Sequence, residues 1–593
     1  MAYLKAVDVS SLPEETRVYD VKDVTGEDGV RRIDSIANVD GVGTASIYLD
    51  ANALPQEDIH WLRLFTRLLG KQDTSSHSQN ELSVLMERLL YNGGIGVSCL
   101  DDYEDEEDGY SLYLVADWTA MDEDLQAGYD LVKELIFDSK FDNPSTLLEQ
   151  VKAQKTATRN TITQNSYSVM LYRALGAEIP LMRLYSYMNF IEYYQFLESV
   201  EKQLQSGSKE PGEKLAAIQA FFNNKAGAIL TFAGSEDRIA VNRPIADGFI
   251  ADMPSEARTQ VVFDLPATAY NEALIIDSNV QYNGIVANYY QLELDEYDAA
   301  FDAVTSLVSD MILVPILRDG YGVYTPMNAF MPAYGMYILT YRDPNIRETF
   351  EVYASLADRI ANIEIDQETL NGYILSAYSS YAMPQGELAG ANGAISTVLS
   401  NGDQEYIVEC MKQLKAVTPE KVKELAGVYA KAWENGSLFT AGGAGAISEN
   451  ADIYDVILNP FNAKDDTKTE FTDVTKDGEY SYEALRFVFE NKYMIALSET
   501  EFGTMSNATA ADVIGFIYSM NGGTADDFAG GRAFLAKYNI VPEDLEAAEP
   551  LTEKLFVQIM NDSYDLGLTT DTPDTVMTRG DLAEFIFDAM QEE

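Results

Sequence analysis

The apolar positions along the chain change their period several times, and each change marks a predicted element. "GTASIYLDANALP" (43–55) alternates as a half-buried strand does, and "QEDIHWLRLFTRLLG" (56–70) switches to the 3.6-residue spacing of an amphipathic helix. Helical "QNELSVLMERLL" runs into strand-like "YNGGIGVSCL", and alternating "SLYLVADW" follows an acidic stretch. Two long helical patterns come next, "MDEDLQAGYDLVKELIFDS" and "NPSTLLEQVKAQKTATRNTI". The region closes on the strand-like "AGAILTFAGS".

From about residue 260 to 460 the same order returns. Strand-like "NGIVANYYQLE" precedes the helical "EYDAAFDAVTSLVSDMILVPIL", a glycine turn leads into alternating "AYGMYILTY", more helices follow, and "GSLFTAGGAG" closes the unit. A repeat near 230 residues exceeds any solenoid unit. It predicts two copies of one α+β domain, each a mostly antiparallel sheet with helices packed on one face. "YNGGIGVSC" aligned on "RDGYGVYTP" pairs Gly94 with Gly320, Gly96 with Gly322 and Val97 with Val323. The predicted boundaries are a first domain at 1–245, a proline-containing linker at 246–258, a second domain at 259–462 and a tail of short helical pieces at 463–593.

Charge narrows the function classes. With 96 acidic and 41 basic residues the net charge is -55, which argues against nucleic acid as a partner, since its phosphates call for a basic face. Such a field favours cationic ligands and also fits a protein from an acidic proteome or salty habitat. Seven carboxylates fall between Asp101 and Asp108, where solvation of a hairpin loop is the expected role and a cation contact the alternative. Cys99 and Cys410 form no CxxC pair, and His60 and His77 are the only histidines, so no histidine-rich zinc site is expected within the chain. The first residues carry no signal-peptide core, and no 18-residue apolar run is expected to span a membrane.

The strongest chemical candidate is "ILRDGYGVYTP", Ile316 to Pro326, at the end of the second domain's first long helix. In the alignment above, Asn92 and Ser98 stand opposite Arg318 and Tyr324. The glycines are common to both copies, but the two large polar residues belong to one, which marks them as candidates for work beyond turn geometry.

The helix, the arginine, the glycine turn and the tyrosine six residues on resemble the C-terminal half of presequence-protease-like enzymes of the pitrilysin/insulinase zinc metallopeptidases. The resemblance covers about residues 20 to 460 and implies that these are the third and fourth of four homologous domains in a two-halved clamshell. Zinc is then expected on the missing N-terminal half, with none bound by this chain. "HWLRL" stands where a catalytic domain carries H-x-x-E-H; Arg63 replaces the glutamate and Leu64 the second histidine. Carried over by position, Arg318 would bind the scissile peptide's backbone and Tyr324 would donate to the developing oxyanion, with Gly320, Tyr321 and Gly322 as substrate-contacting neighbours. Tyr321 stands where the family carries a small residue, which leaves open whether Tyr321 or Tyr324 faces the cavity. The implied partners are the catalytic half, in the same polypeptide or another chain, and unfolded peptide substrates; alone, the chain is expected to be inactive. The alternative is a non-catalytic surface scaffold that keeps the peptidase fold.

The tail carries a second resemblance. "FTDVTKDGEYSYEALRFVFENKYM" and "TVMTRGDLAEFIFDAM" are similar to the opening and closing parts of S-layer homology repeats, modules that hold secreted proteins on cell-wall polymers. Thr578, Arg579 and Asp581 would be the wall-contacting element, and an extracellular or cell-surface location would follow, with a cytoplasmic one as the alternative.

Overall fold

The computed structural model describes residues 8–101, 109–461, 473–474, 480–498, 501–564 and 566–591. The chain forms two compact units, Met1–Lys464 and Asp465–Glu593. Most of the acidic run, residues 102–108, lies outside the described residues; the Asp101 carboxylate accepts from the Tyr334 hydroxyl at 2.9 Å.

The larger unit is built on two six-stranded sheets. The first comprises β1 (Val21–Thr25), β2 (Arg31–Ile36), β3 (Val42–Asp50), β4 (Tyr91–Asp101), β5 (Tyr110–Met121) and β6 (Ile229–Gly234), in the order β1-β2-β6-β3-β5-β4. The second comprises β7 (Glu272–Ile275), β8 (Tyr282–Ala287), β9 (Thr325–Met331), β10 (Gly335–Tyr341), β11 (Ser437–Gly442) and β12 (Val456–Leu458), in the order β12-β7-β11-β8-β10-β9. Strands β2-β6-β3-β5-β4 and β7-β11-β8-β10-β9 share order and direction; the β2/β6 and β7/β11 pairs are parallel and the other pairs within these runs are antiparallel. The repeat read from the sequence is therefore a repeat of fold.

Its glycine alignment is a chance likeness. Gly94 and Gly96 sit inside β4 opposite Asp117 and Val115, whereas Gly320 and Gly322 precede β9 and pair with no strand. Asn92 and Ser98 are consequently not the counterparts of Arg318 and Tyr324.

The period-2 pattern of the strands serves two cores. On β5, Leu112, Leu114, Ala116 and Trp118 face the helices of their own domain, including Ile59, Leu62 and Phe65. On β10, Met336 and Ile338 likewise face Phe301, Val304 and Leu313. The opposite faces are not left to solvent, as helices on one face alone would have implied. Helix Ser166–Leu175 of the first domain lays Val169, Met170 and Ala174 on Leu274, Val286, Leu339 and Phe439 of the second sheet. Helix Glu387–Leu399 of the second domain returns the arrangement, placing Ala391, Ala394 and Ile395 on Ile33, Ile229 and Ala233. Each sheet is closed by a helix of the other domain, and the apolar area this removes from water is the main attraction between them.

The expected linker at 246–258 begins inside a helix. Glu236–Ile250 is helical through Pro244, because burying Ala246, Phe249 and Ile250 in the first core outweighs the hydrogen bond that proline removes. A helical segment of the second domain, Ala300–Arg318, is long and apolar enough to cross a membrane by length and composition, contrary to the expectation of no such run. Its Ala303, Val304, Leu307, Val308, Leu313 and Leu317 are buried in the second core.

In Asp465–Glu593, helices Tyr482–Glu490, Ala510–Met520, Phe528–Ala536, Glu553–Tyr564 and Arg579–Gln591 surround a small core that includes Val488, Phe502, Ile514 and Ile586. The Asp473 carboxylate accepts the backbone N–H groups of Phe502 (2.8 Å), Gly503 (2.7 Å) and Thr504 (2.9 Å). Burial alone would raise its pKa, but these donors outweigh burial and hold it below the ordinary carboxylate value. A carboxylate with a lowered folded-state pKa stabilises the fold above its unfolded value of about 4, and that contribution is lost as pH falls through the folded value. This unit is therefore expected to unfold more readily below about pH 4, and Asp473→Asn to flatten the acid dependence in thermal scans of the full chain.

Candidate functional site

The helix Ala300–Val308 continues as a π-helix, Ser309–Arg318. Pro315 has no N–H to give the preceding turn, and the helix widens there; the Asp319 N–H donates to the Val314 carbonyl five residues back, at 3.1 Å. The chain then folds over its own end. Tyr321 N–H donates to the carbonyls of Ile316 (3.1 Å) and Leu317 (3.2 Å), and Val323 N–H donates to Leu317 at 3.0 Å. A Cβ on Gly320 would lie 2.4 Å from the Ile316 carbonyl oxygen, and Gly322 has φ +79°, so both glycines answer to backbone geometry. Buried Val323 anchors the turn, and Tyr324 N–H donates to Arg342 O at 3.2 Å as β9 begins.

This pinned turn directs three side chains outward. Arg318 is exposed, as are Tyr321 (44%) and Tyr324 (59%). Among the described residues the Arg318 guanidinium makes no hydrogen bond or ion pair. Asn345 Nδ2 donates to the Tyr321 carbonyl at 3.1 Å, tying the turn to the segment after β10. A guanidinium offers up to five N–H donors and a phenol one O–H, so the turn presents donors suited to peptide carbonyl oxygens.

An aromatic strip adjoins the turn, and the sequence reading did not include it. The Tyr324 ring lies 6.2 Å from that of Tyr341, which is 5.2 Å from Tyr282 and 5.5 Å from Tyr167. Arg342, at φ +54°, sits over Tyr341 at 5.5 Å. Tyr167 arrives on the helix that crosses from the first domain, a long-range placement without a local signal. The run of tyrosines in "AYGMYILTYR" was the available hint.

The helix Ile59–Leu68 does not fit a zinc site. His60 is buried, its Nε2 lies 2.9 Å from the Tyr187 carbonyl oxygen, and its ring stacks on Tyr187 at 4.4 Å. Burial lowers its pKa and favours the neutral ring. Arg63 and buried Leu64 offer no metal ligand. His77 Nδ1 lies 2.9 Å from a Glu134 carboxylate oxygen. Among the described residues no group of three or more His, Cys, Asp or Glu is placed to hold a metal ion.

Thr578, Arg579 and Asp581 form the start of the last helix. Asp581 accepts the Thr578 N–H at 2.8 Å, and Thr578 Oγ1 accepts the Asp581 N–H at 3.0 Å, as in a capping box. Arg579 is 3% exposed, paired with buried Asp512 and donating to the Phe502 carbonyl at 3.2 Å. The structure thus places the expected wall-contacting arginine inside the module.

Residues 2–200 match the family model of the segment associated with peptidase M16, subfamily C. The chain is 20% identical over 431 residues to "Protein HypA" of Clostridium perfringens, covering 72% of this chain and 44% of that protein. It is 22% identical over 366 residues to "Presequence protease 1, chloroplastic/mitochondrial" of Arabidopsis thaliana, covering 60% and 33%. The chain is a relative of the C-terminal, non-catalytic half of the M16 (pitrilysin/insulinase) peptidases. It spans less than half the length of these curated relatives. A conserved protein from Enterococcus faecalis V583 has the same fold, with a TM-score of 0.52 at 13% identity over 71% of this chain and 98% of its own. The M16 peptidases are zinc-dependent, and in related enzymes the C-terminal half pairs with an N-terminal catalytic half.

Proposed function

We propose that this chain forms the non-zinc half of a peptidase chamber that closes over unfolded peptides. Arg318 and Tyr324 contribute to a hydrolytic centre carried by a separate N-terminal half, in the same polypeptide or another chain. The observation that carries the reading is the pinned turn after the π-helix, where an arginine without a partner among the described residues and two exposed tyrosines stand together. A donor held rigidly before the substrate arrives needs no reorganisation as charge develops on a carbonyl oxygen. In this reading Arg318 holds the peptide backbone, Tyr324 meets the carbonyl oxygen, and Tyr321 with Gly320 and Gly322 borders the bound strand. The relationship to presequence proteases supports the assignment of peptide as substrate.

The test is reconstitution. The purified chain alone is expected to release no product from an unfolded peptide, and addition of a catalytic N-terminal half is expected to restore hydrolysis that a zinc chelator abolishes. Strong chelator-sensitive cleavage by the chain alone would refute the reading. A reconstituted rate equal to that of the N-terminal half by itself would favour the surface-scaffold alternative.

A further inference from the structure

In a chain with more than twice as many acidic as basic residues, a half-buried arginine has carboxylates to spare. Arg32 pairs with Asp28 and Asp247, Arg173 with Glu192 and Glu272, Arg238 with Asp122 and Arg243 with Asp34. Arg183, Arg258 and Arg532, without carboxylates, donate instead to backbone carbonyls; Arg63 has neither kind of partner among the described residues. It is only partly exposed, forms no ion pair among the described residues, and its Nε is buried without a hydrogen-bond partner. One turn further along the same face stands Arg67, exposed and also without an ion pair, and Lys71 follows just past the helix end. Tyr193 is 2% exposed, and its hydroxyl is a second buried polar atom without a partner among the described residues. The Tyr193 phenol lies within the electrostatic reach of both arginines.

The groups left unmet are donors. The guanidinium groups of Arg63 and Arg67 feel one another and the Tyr193 phenol, Lys71 feels Arg67, and no acceptor hydrogen-bonded to these side chains is found among the described residues. We propose that this face of the helix Ile59–Leu68 binds an oxyanion, either a carboxylate of a peptide or a phosphate group. A planar guanidinium matches the two oxygens of such a group in a bidentate pair, and the exposed Arg67 adds a second positive group on the same helix face. Burial, with repulsion from Arg67, brings the Arg63 pKa down to about 10, and burial with Arg67 also lowers that of Lys71. Placing an anion there would relieve both. This site is separate from the turn at Arg318, and its test needs no catalytic partner.

The full chain in a low-salt buffer without coordinating anions would be titrated calorimetrically with inorganic phosphate and, separately, with a glutamate-rich hexapeptide. At least one probe is expected to bind and to raise the unfolding temperature. Arg63→Met and Arg67→Gln are each expected to weaken that binding by about tenfold or more, the loss of a charge-assisted hydrogen bond. Without anion, Arg63→Met is expected to unfold at the same or a higher temperature than the parent, because an unpaired buried charge has been removed. Binding of phosphate alone identifies a phosphate ligand, and binding of the peptide alone a carboxylate. Failure of both probes, or affinity untouched by both substitutions, overturns the proposal. So does an Arg63→Met variant destabilised without anion, since the guanidinium would then be structural. Arg67 is exposed, so Arg67→Gln keeps the test valid even if the Arg63 variant folds poorly.

Discussion

Tyr324→Phe, assayed with a catalytic N-terminal half present, is expected to lower kcat on an unfolded peptide about a hundredfold while leaving KM nearly unchanged. The phenol would meet the carbonyl oxygen most strongly as that oxygen becomes anionic, and one preorganised donor of this type contributes on the order of 3 kcal/mol. Phenylalanine keeps the ring and its neighbour Tyr341, so the loss isolates the hydroxyl. Arg318→Ala should behave differently. A guanidinium that binds the peptide backbone acts in the ground state as well as the transition state, so KM should rise together with a fall in kcat/KM of about tenfold or more. Both side chains are exposed, and neither substitution should move the unfolding temperature. Unchanged kcat and KM in both variants would remove Arg318 and Tyr324 from the reaction. A fall in kcat for Tyr321→Phe but not for Tyr324→Phe would assign the donor to the other tyrosine.

Glu272→Ala is expected to destabilise Met1–Lys464 by about 3 kcal/mol, through an uncompensated charge where the two domains meet. Arg173, on the crossing helix of the first domain, donates through Nε to Glu272 at 2.8 Å and through Nη2 at 3.2 Å, while Nη1 meets Glu192 at 2.7 Å. Arg173 and Glu272 are each 6% exposed in their side chains. Burial alone would lower the arginine's pKa, but the two carboxylates outweigh it and keep the group charged. Removing Glu272 leaves that cation buried with one remaining, more exposed partner. The double variant Arg173→Met/Glu272→Ala should recover part of the loss, because the uncompensated charge goes with its partner. Equal melting of the Glu272→Ala variant and the parent in thermal unfolding would contradict this.

Period carried most of the fold in the sequence. Alternation in "SLYLVADW" and "AYGMYILTY" and the helical spacing around His60 and Phe301 identify elements whose chain order repeats, and the repeat implied two like domains. The exchange of covering helices was not legible, because Val169 and Ala391 look like ordinary core positions and sequence does not say whose core they enter. Pro244 and Gly248 read as breakers when burial of Phe249 decides the matter. Local residue types were enough to nominate Arg318 and Tyr324, and the turn around them is determined by Pro315, Gly320 and Gly322. The supporting alignment with Gly94 failed because spacing of glycines carries no strand register. Arg63 stands out in the sequence only for what it replaces; its lack of a partner is a matter of what the fold brings near it.

The crossed helices also set a schedule for the chain as it is made. The first sheet is complete once β6 emerges, but its outer face stays bare until Glu387–Leu399 has been synthesised. At roughly 5–20 residues per second that is a wait on the order of ten seconds with Ile33, Ile229 and Ala233 uncovered. Ribosome-bound nascent chains that end between the two helices carry this face exposed, and it is there that holding factors would find their substrate.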